Sequence, residues 1–326
     1  MRKAITTSTT ILPIALVVGS VLWILPEAGN LLLWGGWFVA LLTTYGWMEM
    51  NARLILLRER SRMVSTTVFT SLTAIPLLHY AQWESLLPLG LLVIYAFLFA
   101  SYQERRPEGY LFYAFAILST CSLVVTQLLW LLPLLLFCCL IQLRSLTLGG
   151  LSATVMGIIL PVIILPLISI WSDDPTSLPT MLKTMGDQLV TVDFTYWKDI
   201  YYATPATLPH QEWQFLVTTG CVMVPSLIAI IHQVQTSYLD KTRVRMYYYL
   251  MEMTHIALFA LLILFPSARW TWLHLLIVNS APLIAHYMTL TRGWFATTIF
   301  WLSLTGLLLL TFFNYQTEWI LSLIFS

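Results

Sequence analysis

Apolar stretches of about 18 to 22 residues recur from one end of this 326-residue chain to the other, separated by short polar breaks. An α-helix rises about 1.5 Å per residue, so each stretch is long enough to cross a hydrocarbon core of about 30 Å. A chain built this way has few folds open to it, because backbone polar groups in lipid must be satisfied within a helix or a closed barrel. Composition agrees. Only 10% of residues are charged, 59% are hydrophobic and the mean hydropathy is +0.81, whereas soluble domains carry about 25% charged residues. The expected fold is therefore all-α, a polytopic transmembrane helical bundle.

Spans are expected at roughly 9–25, 30–50, 63–80, 85–102, 110–126, 128–143, 150–172, 213–233, 247–265, 270–289 and 294–314, about eleven in all. The fifth and sixth are parted only by Thr126-Gln127. The opening Met1-Arg2-Lys3 with its apolar run superficially resembles a signal peptide. No small-x-small cleavage site precedes Pro26, so it is taken as a retained first span.

Charge then orients the bundle. With the N-terminus cytoplasmic, the inside positions hold Arg2, Lys3, Arg53, Arg58, Arg60, Arg62, Arg105, Arg106, Arg144, Lys241, Arg243, Arg245 and Arg292. Lys183, Lys198 and Arg269 fall outside. Short cytoplasmic loops are enriched in Lys and Arg, so the expectation is a bacterial inner-membrane protein with an external C-terminus. Trp23, Trp34, Trp83, Trp171, Trp213, Trp270, Trp272, Trp294 and Trp319 lie near expected span ends and Tyr247-Tyr248-Tyr249 at the inner edge, places suited to interfacial anchors.

The chain reads as one integral membrane domain, 1–326, with a single loop long enough for structure of its own, 173–212, on the external side. Ser177 is a candidate N-cap, and Leu178, Met181, Leu182, Met185 and Leu189 recur at helical spacing. That pattern predicts an amphipathic helix lying on the interface. Asp173, Asp174, Asp193 and Asp199 are the candidate catalytic residues. Carboxylates here are able to hold a divalent cation or act as a base on a sugar hydroxyl. Tyr196, Trp197, Lys198, Tyr201 and Arg269 are the candidate substrate-binding residues, offering stacking faces and cations. The plainer alternative is a solvated loop with its rings at headgroup depth.

Within the spans, Glu252, His255 and Asn279 are the polar residues of note. Glu252 and His255 share a helix face, and an ionisable group in a span is a functional candidate by default. The remaining histidines do not converge, although His232 and His286 are geometrically able to ligate a haem. The basic stretch Arg53 to Arg62 is able to bind anionic head groups. Cys121, Cys138, Cys139 and Cys221 form no C-x-x-C pair; no metal site or further cofactor is indicated beyond that divalent cation. The net charge of +1 points to no nucleic-acid partner.

Met50-Asn51-Ala52-Arg53 through Arg62-Met63, Phe115 to Pro133, and Arg144 to Pro161 form a layout that resembles a family of polytopic inner-membrane proteins from Bacteroidota. Asn51, Arg144, Gly157 and Pro161 stand where that family has its Asn-containing basic loop, its Arg-containing turn and its Gly-then-Pro span. The resemblance covers about the first half of the chain. It implies a location and no particular reaction. Three classes of function stay open: handling of lipid-linked cell-envelope precursors by a glycosyltransferase-like or polymerase-like enzyme, a lipid or small-molecule transporter or flippase, and a non-enzymatic assembly scaffold. The expected partners are membrane lipids and a lipid-linked precursor.

Overall fold

A computed structural model describes residues 6, 8, 10–59, 61–171, 177–192, 194–203, 209–291 and 293–325. All regular structure among them is helical: α1 Ile11–Ile24, α2 Leu31–Leu54, α3 Met63–Thr73, α4 Leu87–Ala100, α5 Glu108–Cys121, α6 Leu131–Ile141, α7 Leu148–Trp171, α8 Ser177–Val190, α9 Thr195–Tyr202, α10 His210–Thr236, α11 Thr242–Leu264, α12 Arg269–Leu290 and α13 Trp294–Phe325. Short 3-10 turns link several of them.

Six helices among the described residues have the length and apolar character to cross a membrane: Leu31–Leu54, Trp83–Ala100, Gln211–Leu239, Thr242–Leu264, Pro266–Leu290 and Ala296–Tyr315. Ile11–Glu27, Thr126–Ile141 and Leu148–Pro161 are apolar but shorter. Large apolar side chains stand exposed along several helices, among them Val17, Leu31, Met156 and Leu309. Such a surface is that of a membrane-embedded protein, since a water-facing one rarely shows contiguous apolar area on this scale.

The expected third span, 63–80, is an 11-residue helix followed by a break. Proline disfavours helical backbone in the residue before it, and Ile75, ahead of Pro76, sits at φ −130°, ψ 87°. Within α3 the hydroxyls of Thr66, Thr67, Thr70 and Thr73 donate to carbonyls one turn back, which satisfies them without water. The expected fifth and sixth spans are α5 and α6, parted by a 3-10 turn at Thr126–Trp130.

The chain divides into two units: 1–88, 199–248 and 270–326 in the first, 89–198 and 249–269 in the second. In the first, α3 packs against α1 and α2, and α10 against α13. A Cβ placed on Gly36 of α2 would stand 1.8 Å from the His79 carbonyl oxygen, so only glycine allows that approach. His79 in turn stacks on Trp23, ring centroids 3.7 Å apart. In the second unit α5 packs against α7; a Cβ on Gly157 would lie 2.6 Å from the Phe112 carbonyl oxygen. Nearby, the Ser119 hydroxyl donates to the Ile158 carbonyl at 2.8 Å.

Burial separates helices that look alike in sequence. The span Pro266–Leu290 is 94% buried, whereas Ala296–Tyr315 is 17% buried. A helix buried on all sides has no need of an apolar stripe, and α12 carries Thr271, His274, Asn279, Ser280, His286 and Thr289, all buried. Of the expected interfacial anchors, Trp83 and Trp294 are exposed, but Trp23, Trp272, Tyr247 and Tyr248 are core residues, each 0% or 1% exposed.

Candidate functional site

The most organised polar region of the first unit starts at the end of α2. That helix closes on Ile55 in the left-handed conformation, φ 53°, with its N–H on the Asn51 carbonyl at 3.0 Å. The turned chain is then clamped by one side chain. Asn51 donates Nδ2–H to the Ser61 carbonyl at 3.1 Å and accepts the Leu57 N–H on Oδ1 at 3.3 Å. Leu56 and Leu57 are buried and anchor the loop. The Ser61 hydroxyl donates to the Thr6 carbonyl, and Ser61 Oγ accepts the Met63 N–H at 3.1 Å, which starts α3.

This clamped loop forms one wall of a cavity of about 580 Å³, within the size range of small-molecule sites. Its lining includes Asn51, Arg58, Glu59, Arg62 and Ser65, with Glu49 from the last turns of α2 and Ser8 from the N-terminal segment. Met48, Ala52, Ile55 and Leu57 make much of the lining apolar, and Arg58 and Arg62 add guanidinium groups to it, donors suited to phosphate or carboxylate oxygens.

Behind the cavity wall lies a buried carboxylate. Asp240, between α10 and α11, has a fully buried side chain, and its Oδ1 is 2.7 Å from Nε of Arg58, whose side chain is 38% exposed. Its Oδ2 lies 3.2 Å from Nε2 of His286 on α12 and accepts from Gln233 Nε2 at 3.4 Å. Burial by itself would raise the Asp240 carboxyl. The hydrogen bond and charge of His286, the Arg58 charge and the Gln233 hydrogen bond outweigh it, so the group is held below the usual carboxylate range. Tyr248 closes the circuit: its ring meets His286 edge-on at 4.6 Å, and its hydroxyl donates to the Leu56 carbonyl at 3.4 Å. Arg58 therefore projects from a loop tied to α12 through both Asp240 and Tyr248.

Arg58 was visible in the sequence as one member of a basic stretch. Asp240 was not singled out; its only signal is that it is a lone acid beside Lys241, Arg243 and Arg245. Arg2, Lys3, Arg60 and Arg292 lie outside the described residues. His286 spends its Nε2 on Asp240 and His232 has Thr291 Oγ1 3.4 Å from Nε2, so neither presents that nitrogen to a haem.

Of the external candidates, Asp173, Asp174 and Asp193 lie outside the described residues, and Asp199 is an exposed residue of α9. In the second unit Tyr196, Trp197 and Arg269 come together. Trp197 donates Nε1–H to the Ile263 carbonyl at 2.8 Å, and the Arg269 guanidinium lies 4.8 Å from the Tyr196 ring centroid. Lys198 is exposed, and Tyr201 meets Tyr202 edge-on with both rings largely exposed. Helix α8 covers Ser177–Val190, and its end is pinned to the Thr126–Trp130 turn. Gln127 Nε2 donates to the Gln188 carbonyl at 3.3 Å and Trp130 Nε1 to the Leu189 carbonyl at 3.2 Å. Glu252 and His255 are both buried on α11, and Asn279 is buried on α12. No group of three or more His, Cys, Asp or Glu able to hold a metal ion occurs among the described residues.

Compared with protein-family models, curated proteins and solved structures, the chain matches none.

Proposed function

We propose that this is a multi-pass inner-membrane protein that handles phosphate-bearing, lipid-linked precursors of the cell envelope. The head group enters the cavity beside Arg58 and Arg62 from the cytoplasmic side. The orientation follows from the basic loops at that end of the spans, which carry Arg53, Arg58, Arg62, Lys241, Arg243 and Arg245. One observation carries the reading: Arg58, on the cavity wall, is backed by the buried Asp240. A guanidinium fixed on one side by a buried carboxylate keeps its planar fork oriented without ordering cost when a phosphate arrives.

The test is lipid retention by the purified protein. Arg58→Ala with Arg62→Ala is expected to reduce co-purifying phospholipid or lipid-linked phosphate at least about tenfold, by the loss of two charge-assisted contacts. Unchanged retention in a folded double variant rejects the reading. A separate arm lies on the opposite, external face, where Asp173, Asp174, Asp193 and Asp199 act as base or divalent-cation ligands in a glycosyltransferase-like or polymerase-like step on a precursor presented at that face. Alanine at all four with unchanged envelope glycans rejects that arm alone.

A second reading, a lipid flippase, is favoured by Glu252 and His255, buried on one face of α11. Buried polar groups in a span line pathways in transport proteins. Lipid movement in proteoliposomes that persists in Glu252→Gln with His255→Ala counts against a coupled mechanism.

A further inference from the structure

Phosphate recognition by Arg58 and Arg62 involves only the positive charge on this cavity wall. The wall that carries Arg58 and Arg62 also carries two carboxylates, Glu49 and Glu59. Glu49 comes from α2 and is 40% exposed, with Arg53 one turn on at its Oε1. Glu59 follows Arg58 in the clamped loop. A pocket selecting a net-negative head group gains from guanidiniums and loses from each carboxylate, since like charge juxtaposed across an interface is repulsive. Among the described residues the lining carries two guanidiniums and two carboxylates, and a ligand that bears both signs is matched to it.

The geometry points to a zwitterionic head group, one that joins a phosphate to a primary ammonium, as the occupant of this cavity. This inference rests on the phosphate-lipid reading above and narrows its substrate class. The phosphate meets Arg58 and Arg62, and the ammonium, with three N–H donors, meets Glu49 and Glu59. Asn51 and Ser65 line the same space and supply neutral hydrogen-bonding groups between the two charged ends. The volume of about 580 Å³ exceeds what so small a head group fills, which leaves room for the ester-linked glycerol behind it. A trimethylated ammonium has no N–H to donate, and a glycerol head group has no cation, so both close analogues fall short on the carboxylate side.

The experiment is native mass spectrometry of the full-length protein, taken from detergent doped with equal parts of phosphatidylethanolamine, phosphatidylcholine and phosphatidylglycerol of identical acyl chains. The wild type is expected to retain phosphatidylethanolamine about fivefold over the other two, the upper end of what partly exposed charge pairs give. Glu49→Gln with Glu59→Gln is expected to level the three, with phosphatidylethanolamine losing its roughly fivefold advantage. Phosphatidylglycerol retained as well as phosphatidylethanolamine by the wild type overturns the inference, and that comparison needs no variant. A preference unchanged in the double glutamine variant, or in Glu59→Gln alone should the double variant fail to fold, also overturns it. Total retention that survives Arg58→Ala with Arg62→Ala overturns the phosphate reading instead, whatever the ranking of lipids.

Discussion

Arg58 and Asp240 come from different interhelical loops and meet with Nε 2.7 Å from Oδ1, the carboxylate fully buried and the guanidinium about one-third exposed. Such a pair contributes less to net stability than its partners lose when separated. Asp240→Asn removes the negative charge and leaves one acceptor oxygen where the carboxylate offered two, so Arg58 and His286 no longer each face an oxygen. Because Arg58 reaches solvent, the loss is expected at about 1–2 kcal/mol and not the 3–5 kcal/mol of a wholly buried pair. A melting temperature of the purified protein lowered by a few degrees checks it; no shift at all removes Asp240 as the loop's anchor.

The same carboxylate sets a pH dependence. Its folded pKa lies below the unfolded value of about 3.9, held there against burial by His286, Arg58 and Gln233, with His232 also within its field. The unfolded state thus binds the proton first. Asp240's contribution is fully present above about pH 5 and fades as pH falls through the lowered value. The difference in melting temperature between wild type and Asp240→Asn is expected to stay constant from about pH 8 to pH 5 and to shrink only in more acid solution. A difference that shrinks near neutrality assigns the effect to another group.

Asn51 makes two hydrogen bonds that fold the 55–61 loop back on α2. Asn51→Ala deletes both and leaves the Leu57 N–H and the Ser61 carbonyl to find other partners. The cost is expected at about 1–2 kcal/mol. It should appear as faster proteolysis after Arg58 with little change elsewhere. Wild-type cleavage kinetics in this variant would show that the buried Leu56 and Leu57 suffice to hold the loop.

Gly36→Ala is expected to be among the most damaging single changes in the first unit. The added methyl would sit 1.8 Å from the His79 carbonyl oxygen and 3.2 Å from the Ala81 nitrogen, and backbone cannot swing aside as a side chain can. Overpacking of this kind costs about 2–3 kcal/mol. Gly29→Ala, where nothing lies within 4 Å, is the control and is expected to stay within about 0.5 kcal/mol of wild type. Equal melting temperatures for the two variants would contradict this packing.

Apolar runs made the helical class readable, because the demand that lipid places on the backbone acts along the chain. Position within the bundle was less readable. In a lipid-facing helix and a central one the side chains are alike apolar, so Ala296–Tyr315 and Pro266–Leu290 look equivalent in sequence although few residues of the first and nearly all of the second are buried. The polar residues of α12 were a signal, as six of them are accommodated only by protein neighbours. Trp23 and Trp272 were misplaced at the interface because a tryptophan near a span end serves equally well in a core. Asp240 escaped notice because its partners lie far away in sequence, and a lone acid in a basic loop has no periodicity to betray it. Of Asp173, Asp174, Asp193 and Asp199, only the exposed Asp199 lies among the described residues.

Near its described end, α13 reaches back to the break after α3. Asn314 donates Nδ2–H to the Ala74 carbonyl at 2.8 Å, and the Tyr315 hydroxyl lies within donating distance of the Leu22 and Thr73 carbonyls. Helix ends leave carbonyls unmet, and these are met by residues synthesised more than two hundred positions later. Until the ribosome delivers α13, the ends of α1 and α3 carry these acceptors without their partners. Closure of α1 and α3 is thereby completed by α13, and a nascent chain halted before residue 314 leaves the Leu22, Thr73 and Ala74 carbonyls without these donors.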